Sequence, residues 1–180
     1  KRHGSPNKKD PILVRKFHRS DQETAPSELP LHDFSSLRYP LLNSKIVLLY
    51  FAASWCPMST PVTHQLDELF QKYLLPPLWT SANAKEEDAE ESSVTRHLQR
   101  HSASLVYVSS DKTLESMQEY LRPNWMSVPF DSPDRSKLKQ HFRTCAKNEL
   151  DDLNMEDRDR EIPALLVLCG ETHQVLTYHG

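Results

Sequence analysis

Residues 44–62 read S-K-I-V-L-L-Y-F-A-A-S-W-C-P-M-S-T-P-V. The apolar run Ile46–Ala53 has no alternation, as in a strand buried on both faces. From Ser59 onward the apolar residues fall at Val62, Leu66, Leu69, Phe70 and Tyr73, the spacing of one helix face. Cys56 stands at the junction. Backbone N–H groups and the helix dipole favour an anion there, and that environment activates a thiol. Pro57 lacks an N–H and has a fixed φ, so it suits a first helical turn. Ser59 lies about one turn further on.

Working outward, residues 1–28 form a basic, largely irregular extension, with one short ordered piece expected around I-L-V (12–14). The folded domain is expected over 29–180. It carries polar, acidic insertions at about 76–103 and 144–161. S-L-V-Y-V-S-S (104–110) predicts a second buried strand. Asp111 is expected to cap a helix with an apolar stripe of Leu114, Met117 and Leu121. W-M-S-V-P-F (125–130) reads as a short edge segment limited by Pro129. Ser132-Pro133 reads as a helix start, with Leu138 and Phe142 facing inward. I-P-A-L-L-V-L-C (162–169) and Q-V-L-T-Y-H (174–179) predict a hairpin. Two βα crossovers feeding a hairpin give an α/β fold with a mixed central sheet and helices on both faces.

The formal charge is −3 over 180 residues, which excludes polyanion binding by bulk charge. The charge is unevenly placed. Residues 1–20 carry Lys1, Arg2, Lys8, Lys9, Arg15, Lys16 and Arg19 against Asp10, while 84–91 and 149–161 are acidic. The three cysteines, Cys56, Cys145 and Cys169, are too few for a disulfide scaffold. They point to an intracellular reducing compartment, cytoplasm or mitochondrion. The longest apolar run is too short to span a bilayer, so no transmembrane segment is expected. The chain does not begin with Met and is expected to be processed or cropped.

Y-F-A-A-S-W-C-P-M-S (50–59) resembles the active-site segment of tryparedoxins and nucleoredoxins in the thioredoxin superfamily, typically Y-F-S-A-S-W-C-P-P-C. The resemblance continues in L-V-Y-V-S-S-D (105–111), in W-M-S-V-P-F and in I-P-A-L-L-V-L (162–168). It implies a thioredoxin-like fold with Cys56 as nucleophile. Pro163 would be the cis-proline facing it, the Ile162 backbone a docking edge for substrate, and Trp55 and Pro57 the border of the same groove. The sequence departs from the family at Ser59, where the resolving cysteine is expected, and at Met58, where a second proline is expected. The family also continues beyond the point where this chain stops, so a fragment is expected.

A serine can hydrogen-bond a thiolate but cannot resolve a mixed disulfide. The resemblance therefore implies at most a monothiol thiol–disulfide oxidoreductase, with no cofactor. Its partners would be protein disulfides or low-molecular-weight thiols of the glutathione or trypanothione kind. The alternative is a catalytically silent structural or adaptor subunit of a larger assembly, such as an organellar ribonucleoprotein, bound through the basic arm and acidic insertions. Cys145 and Cys169 read as small buried hydrophobes. Cys169 lies six residues past Pro163, roughly 20 Å along a strand. His97 and His101 have the i,i+4 spacing of metal ligands but read as a solvated face, so no metal site is expected.

Overall fold

The computed structural model describes residues 34–74 and 101–179. In chain order these form helix α1 (Arg38–Asn43), strand β1 (Ser44–Ala52), helix α2 (Ser59–Leu69), strand β2 (His101–Ser109) and helix α3 (Leu114–Tyr120). A two-residue strand β3 (Met126–Ser127), helix α4 (Pro133–His141) and strands β4 (Ala164–Cys169) and β5 (Val175–His179) follow. The sheet order is β3-β2-β1-β4-β5. Strand β1 runs parallel to β2, and β2 to β3. Strand β4 runs antiparallel to both β1 and β5. Parallel neighbours need crossovers, which α2 and α3 supply.

Alternate residues of β1 point to opposite faces. Val47, Leu49 and Phe51 pack with Leu37 and Leu41 around α1 and with Leu138 of α4. Tyr50 and Ala52 pack on the other face with Phe70, Met117 and Tyr120. The sheet is therefore sandwiched, as the sequence implies. Asp134 at the start of α4 accepts hydrogen bonds from Ser36 N at 2.8 Å and Ser35 Oγ at 3.1 Å, tying the segment before α1 to this face. Ser132 caps α4 as expected, its Oγ accepting from Asp134 N at 3.2 Å, with Pro133 in the first turn. Among the described residues no helix is long and apolar enough to cross a membrane.

Where β4 ends, Gly170 meets the start of β1. A Cβ on Gly170 would lie 1.8 Å from the Ser44 carbonyl oxygen, and Gly170 N donates to Lys45 O at 2.8 Å. Gly170→Ala must push two hydrogen-bonded strand ends apart. We expect destabilisation of about 3 kcal/mol, the upper end for overpacking, read from urea unfolding midpoints.

Several expectations change. Residues 101–103 belong to β2 and not to an insertion, so the strand starts three residues earlier than the apolar run. His101 opens that strand, which removes the helical spacing with His97; His97 itself lies outside the described residues. Asp111 does not cap α3. Thr113 does, its Oγ accepting from Ser116 N at 3.2 Å, because the Asp111 carboxylate is engaged elsewhere. In α3, Tyr120 and Met117 are the buried residues and Leu114 is exposed. In α2, Val62 and Leu66 of the expected face pack partly buried on the Tyr50 side of the sheet, and Ser59 and Thr63 are buried beside them. Of the two neighbours expected on that face, Leu69 is 52% exposed and Phe70 is buried; a π turn follows over Phe70–Leu74. The expected 144–161 insertion is packed: Thr144 bridges Arg160, and Cys145 and Leu153 are buried. The basic extension 1–28, the expected domain start near residue 29, and residues 76–100 lie outside the described residues.

Candidate active site

The turn between β1 and α2 is a run of short hydrogen bonds. Cys56 N donates to Ala53 O at 3.2 Å, and Ser59 N donates to Cys56 O at 3.0 Å. The Cys56 thiol faces the loop before β4. Its Sγ donates to Ile162 O at 3.9 Å, and the Ile162–Pro163 peptide bond is cis. Cys56 is 7% exposed, against 45% for Trp55 and 69% for Met58. The sulfur therefore sits at the bottom of a recess with large apolar rims.

That recess is a groove of about 530 Å³. Trp55, Pro57 and Met58 of the turn line it, together with residues 146–148 and with Glu161 and Ile162 just before β4. The structure thus brings Trp55, Cys56, Pro57 and Ile162 together at one opening, with Pro163 next in the chain. Ser59 lies beneath the opening. It is fully buried, and its Oγ has no hydrogen-bond partner. The expected hydrogen bond from Ser59 to the Cys56 sulfur is thus not made.

A layer of buried hydroxyls seats the start of α2. Tyr50 OH donates to Ser59 O at 3.2 Å and shares a 3.0 Å hydrogen bond with Thr63 Oγ1. Thr63 Oγ1 in turn lies 2.6 Å from Tyr120 OH. Burial pushes the Tyr50 phenol well above its ordinary range, so it stays neutral and keeps its proton to donate.

Asp111 anchors the other side of the turn. Its carboxylate, 3% exposed, accepts from Ser54 N at 2.7 Å and Ser54 Oγ at 2.8 Å. It also accepts from Tyr107 OH and Ser109 Oγ, each at 2.7 Å. Next to it, the Trp55 indole N–H donates to Ser110 O at 3.0 Å. The rim residue Trp55 is therefore held by the end of β2. Sequence reasoning missed Asp111 and Ser110 as site supports. The one sign in the sequence is a polar S-S-D closing a buried strand.

The other two cysteines are elsewhere. Cys145 is buried, and burial pushes its thiol up. Cys169 is half-buried and pairs with Ile46, while Ala164 pairs with Phe51. The register puts it at the end of β1 remote from Cys56. Hydrogen bonds from the Thr172 hydroxyl and from the backbone of Thr172 and Glu171 hold the Cys169 thiol below its ordinary range. The expectation of a small buried hydrophobe thus holds for Cys145 and not for Cys169, which is half-buried and out of reach of Cys56.

Comparison with known proteins gives one family and several relatives. A family model described as Thioredoxin-like matches residues 43–173. The probable nucleoredoxin 1 of Arabidopsis thaliana is 27% identical over 103 residues, which is 57% of this chain and 14% of that protein. The match therefore spans only a small part of the curated relative. Native tryparedoxin I from Crithidia fasciculata aligns with a TM-score of 0.48 at 25% identity, covering 77% of this chain and 70% of that one. Thioredoxin from Wuchereria bancrofti aligns with a TM-score of 0.46 at 24% identity, covering 80% and 74%.

Proposed function

This chain belongs to the thioredoxin-like family, and on that premise we propose that it exchanges thiols and disulfides through the single thiol of Cys56. The observation that supports this most directly is the pairing of Cys56 Sγ with Ile162 O across the cis Ile162–Pro163 bond, at the floor of an open groove. The thiol faces the loop backbone just before β4, and in this reading a bound peptide lies along it.

The exchange runs in two steps. The Cys56 thiolate attacks one sulfur of R–S–S–R; the Cys56–S–S–R bond forms, R–S⁻ leaves and takes up the proton that Cys56 lost. An outside thiolate R′–S⁻ then attacks the R sulfur, forming R–S–S–R′ and returning Cys56 as the leaving thiolate. The family's second thiol has its counterpart here in Ser59, so a low-molecular-weight thiol supplies R′–S⁻. The uncommitted Ser59 hydroxyl is available to a sulfur anion above it. In this reading Trp55, Pro57 and the Ile162-Pro163 edge position the substrate.

The test is mixed-disulfide trapping with oxidised glutathione, read by mass spectrometry at each cysteine. The expected result is an adduct at Cys56 that free thiol removes and that Cys56→Ser abolishes. An adduct confined to Cys169, or none, overturns the reading. The low exposure of Cys56 favours a second reading, a silent site in an adaptor. That reading requires Cys56 to stay unmodified while the folded chain co-purifies with a partner at fixed stoichiometry.

A further inference from the structure

The segment between α4 and β4 supplies residues 146–148 to the lining of the groove that Trp55 also borders, and one carboxylate ties that stretch down. Glu149 accepts from Ala146 N at 2.9 Å and from Ser110 Oγ at 2.7 Å. Its other oxygen forms an ion pair with Lys139. Lys139 is 2% exposed. Burial pushes its ammonium down while the Glu149 charge opposes that shift. An unpartnered ammonium at that depth is costly, so the pair holds the segment where it is. Further fastenings hold the rest of it: Gln140 Nε2 donates to Leu153 O at 2.7 Å, and Asp159 N donates to Arg143 O at 2.8 Å.

Ser110 serves both walls. Its carbonyl accepts the Trp55 indole N–H, and its hydroxyl donates to Glu149. The rim carrying Trp55 and the wall carrying residues 146–148 therefore share one footing. The opening above Cys56 has a set width, and the thiol at its floor is nearly covered.

From this arrangement we infer that Glu149 is a positioning residue. It holds the 146–148 wall so that Cys56 accepts slim disulfides, meaning low-molecular-weight disulfides and extended cysteine-bearing strands, and turns away disulfides set in the face of a folded protein. The inference rests on Cys56 being the reacting thiol. It adds a selectivity that the exchange chemistry alone does not contain.

The test compares two neutral reagents at Cys56, iodoacetamide and a maleimide carrying a bulky polymer chain, with modification read at that residue by mass spectrometry. In the native chain the bulky-to-small rate ratio is expected to lie about tenfold or more below its value in the urea-unfolded chain. Glu149→Gln and Ser110→Ala should each raise the native ratio about tenfold, the scale of losing a charge-assisted hydrogen bond. A loss of general stability would also move the ratio toward its unfolded value, so the rise in Glu149→Gln and Ser110→Ala must exceed that in Gly170→Ala, which is destabilised at the far end of β1 from Cys56. If Glu149→Gln does not fold, Ser110→Ala and the native-to-unfolded comparison decide. A native ratio equal to the unfolded one, or no change in a folded variant, overturns the inference. If Cys56 forms no mixed disulfide but the ratios shift as stated, the wall stands and the exchange reading falls. The opposite pattern removes the wall and leaves the exchange.

Discussion

Ser59→Cys is expected to turn a thiol that forms a lasting adduct into one that turns over. Ser59 opens α2, and its N–H is already hydrogen-bonded to the Cys56 carbonyl. Its hydroxyl is buried without a partner. Replacing it with a thiol therefore breaks no hydrogen bond and suits the site, since a thiol asks little of its surroundings. A second sulfur one helical turn away attacks the mixed disulfide as an intramolecular nucleophile. Such proximity is worth about a hundredfold at the least over an outside thiol at ordinary concentration. The glutathione adduct on Cys56 should vanish from mass spectra. Disulfide reduction driven by a dithiol reductant should rise by about that factor. An adduct that persists, with no gain in rate, means that position 59 is not in exchange with Cys56. Ser59→Ala is the control: still a monothiol, and equal or slightly greater in stability, because an unpartnered buried hydroxyl is gone.

Asp111→Ala should cost about 3–5 kcal/mol, the scale of breaking a buried charged network. One carboxylate takes four hydrogen bonds, from Ser54 N, Ser54 Oγ, Tyr107 OH and Ser109 Oγ. Alanine leaves these donors without their acceptor in a region where water does not replace it. At about 2–4 °C per kcal/mol for a chain of this size, the melting temperature should fall by about 10 °C. Mixed-disulfide formation at Cys56 should slow in the same variant, since Ser54 and Trp55 lose their seat. Asp111→Asn should fall between the two, because an amide keeps one acceptor but turns an NH₂ toward donors. A melting temperature within a degree or two of the parent would show that Asp111 is not the anchor of the turn.

The strands and the starts of α2 and α4 were legible because their causes are local. The unbroken apolar run in β1 predicts burial on both faces, and Ser132-Pro133 predicts the start of α4. The groove residues Trp55, Cys56, Pro57 and Ile162 came from segments far apart in sequence, and a family resemblance placed them together. Asp111 was misjudged for a physical reason. An aspartate just ahead of a helical stripe reads as a cap by local rules, but its partners Ser54 and Tyr107 come from β1's exit and β2, and no local pattern reports them. The spacing puts both Leu69 and Phe70 on the inner face of α2, and only Phe70 is buried, since adjacent residues of a helix point about 100° apart. The 144–161 segment read as an acidic insertion because its charges are plain in the sequence. What fixes it, the pairing of Glu149 with a lysine sunk in α4, is visible only in three dimensions.

The double duty of Ser110 bears on how such a protein can change over time. A substitution of its side chain releases Glu149 while the backbone carbonyl still holds Trp55, so it shifts one side of the opening against the other and upsets the fit between them. Met58 and Lys147 stand at the opening with little beneath them that depends on their identity. New substrate preferences should therefore arise first at those tips, while the serine below stays fixed, much as a lock is recut at its wards and not at its frame.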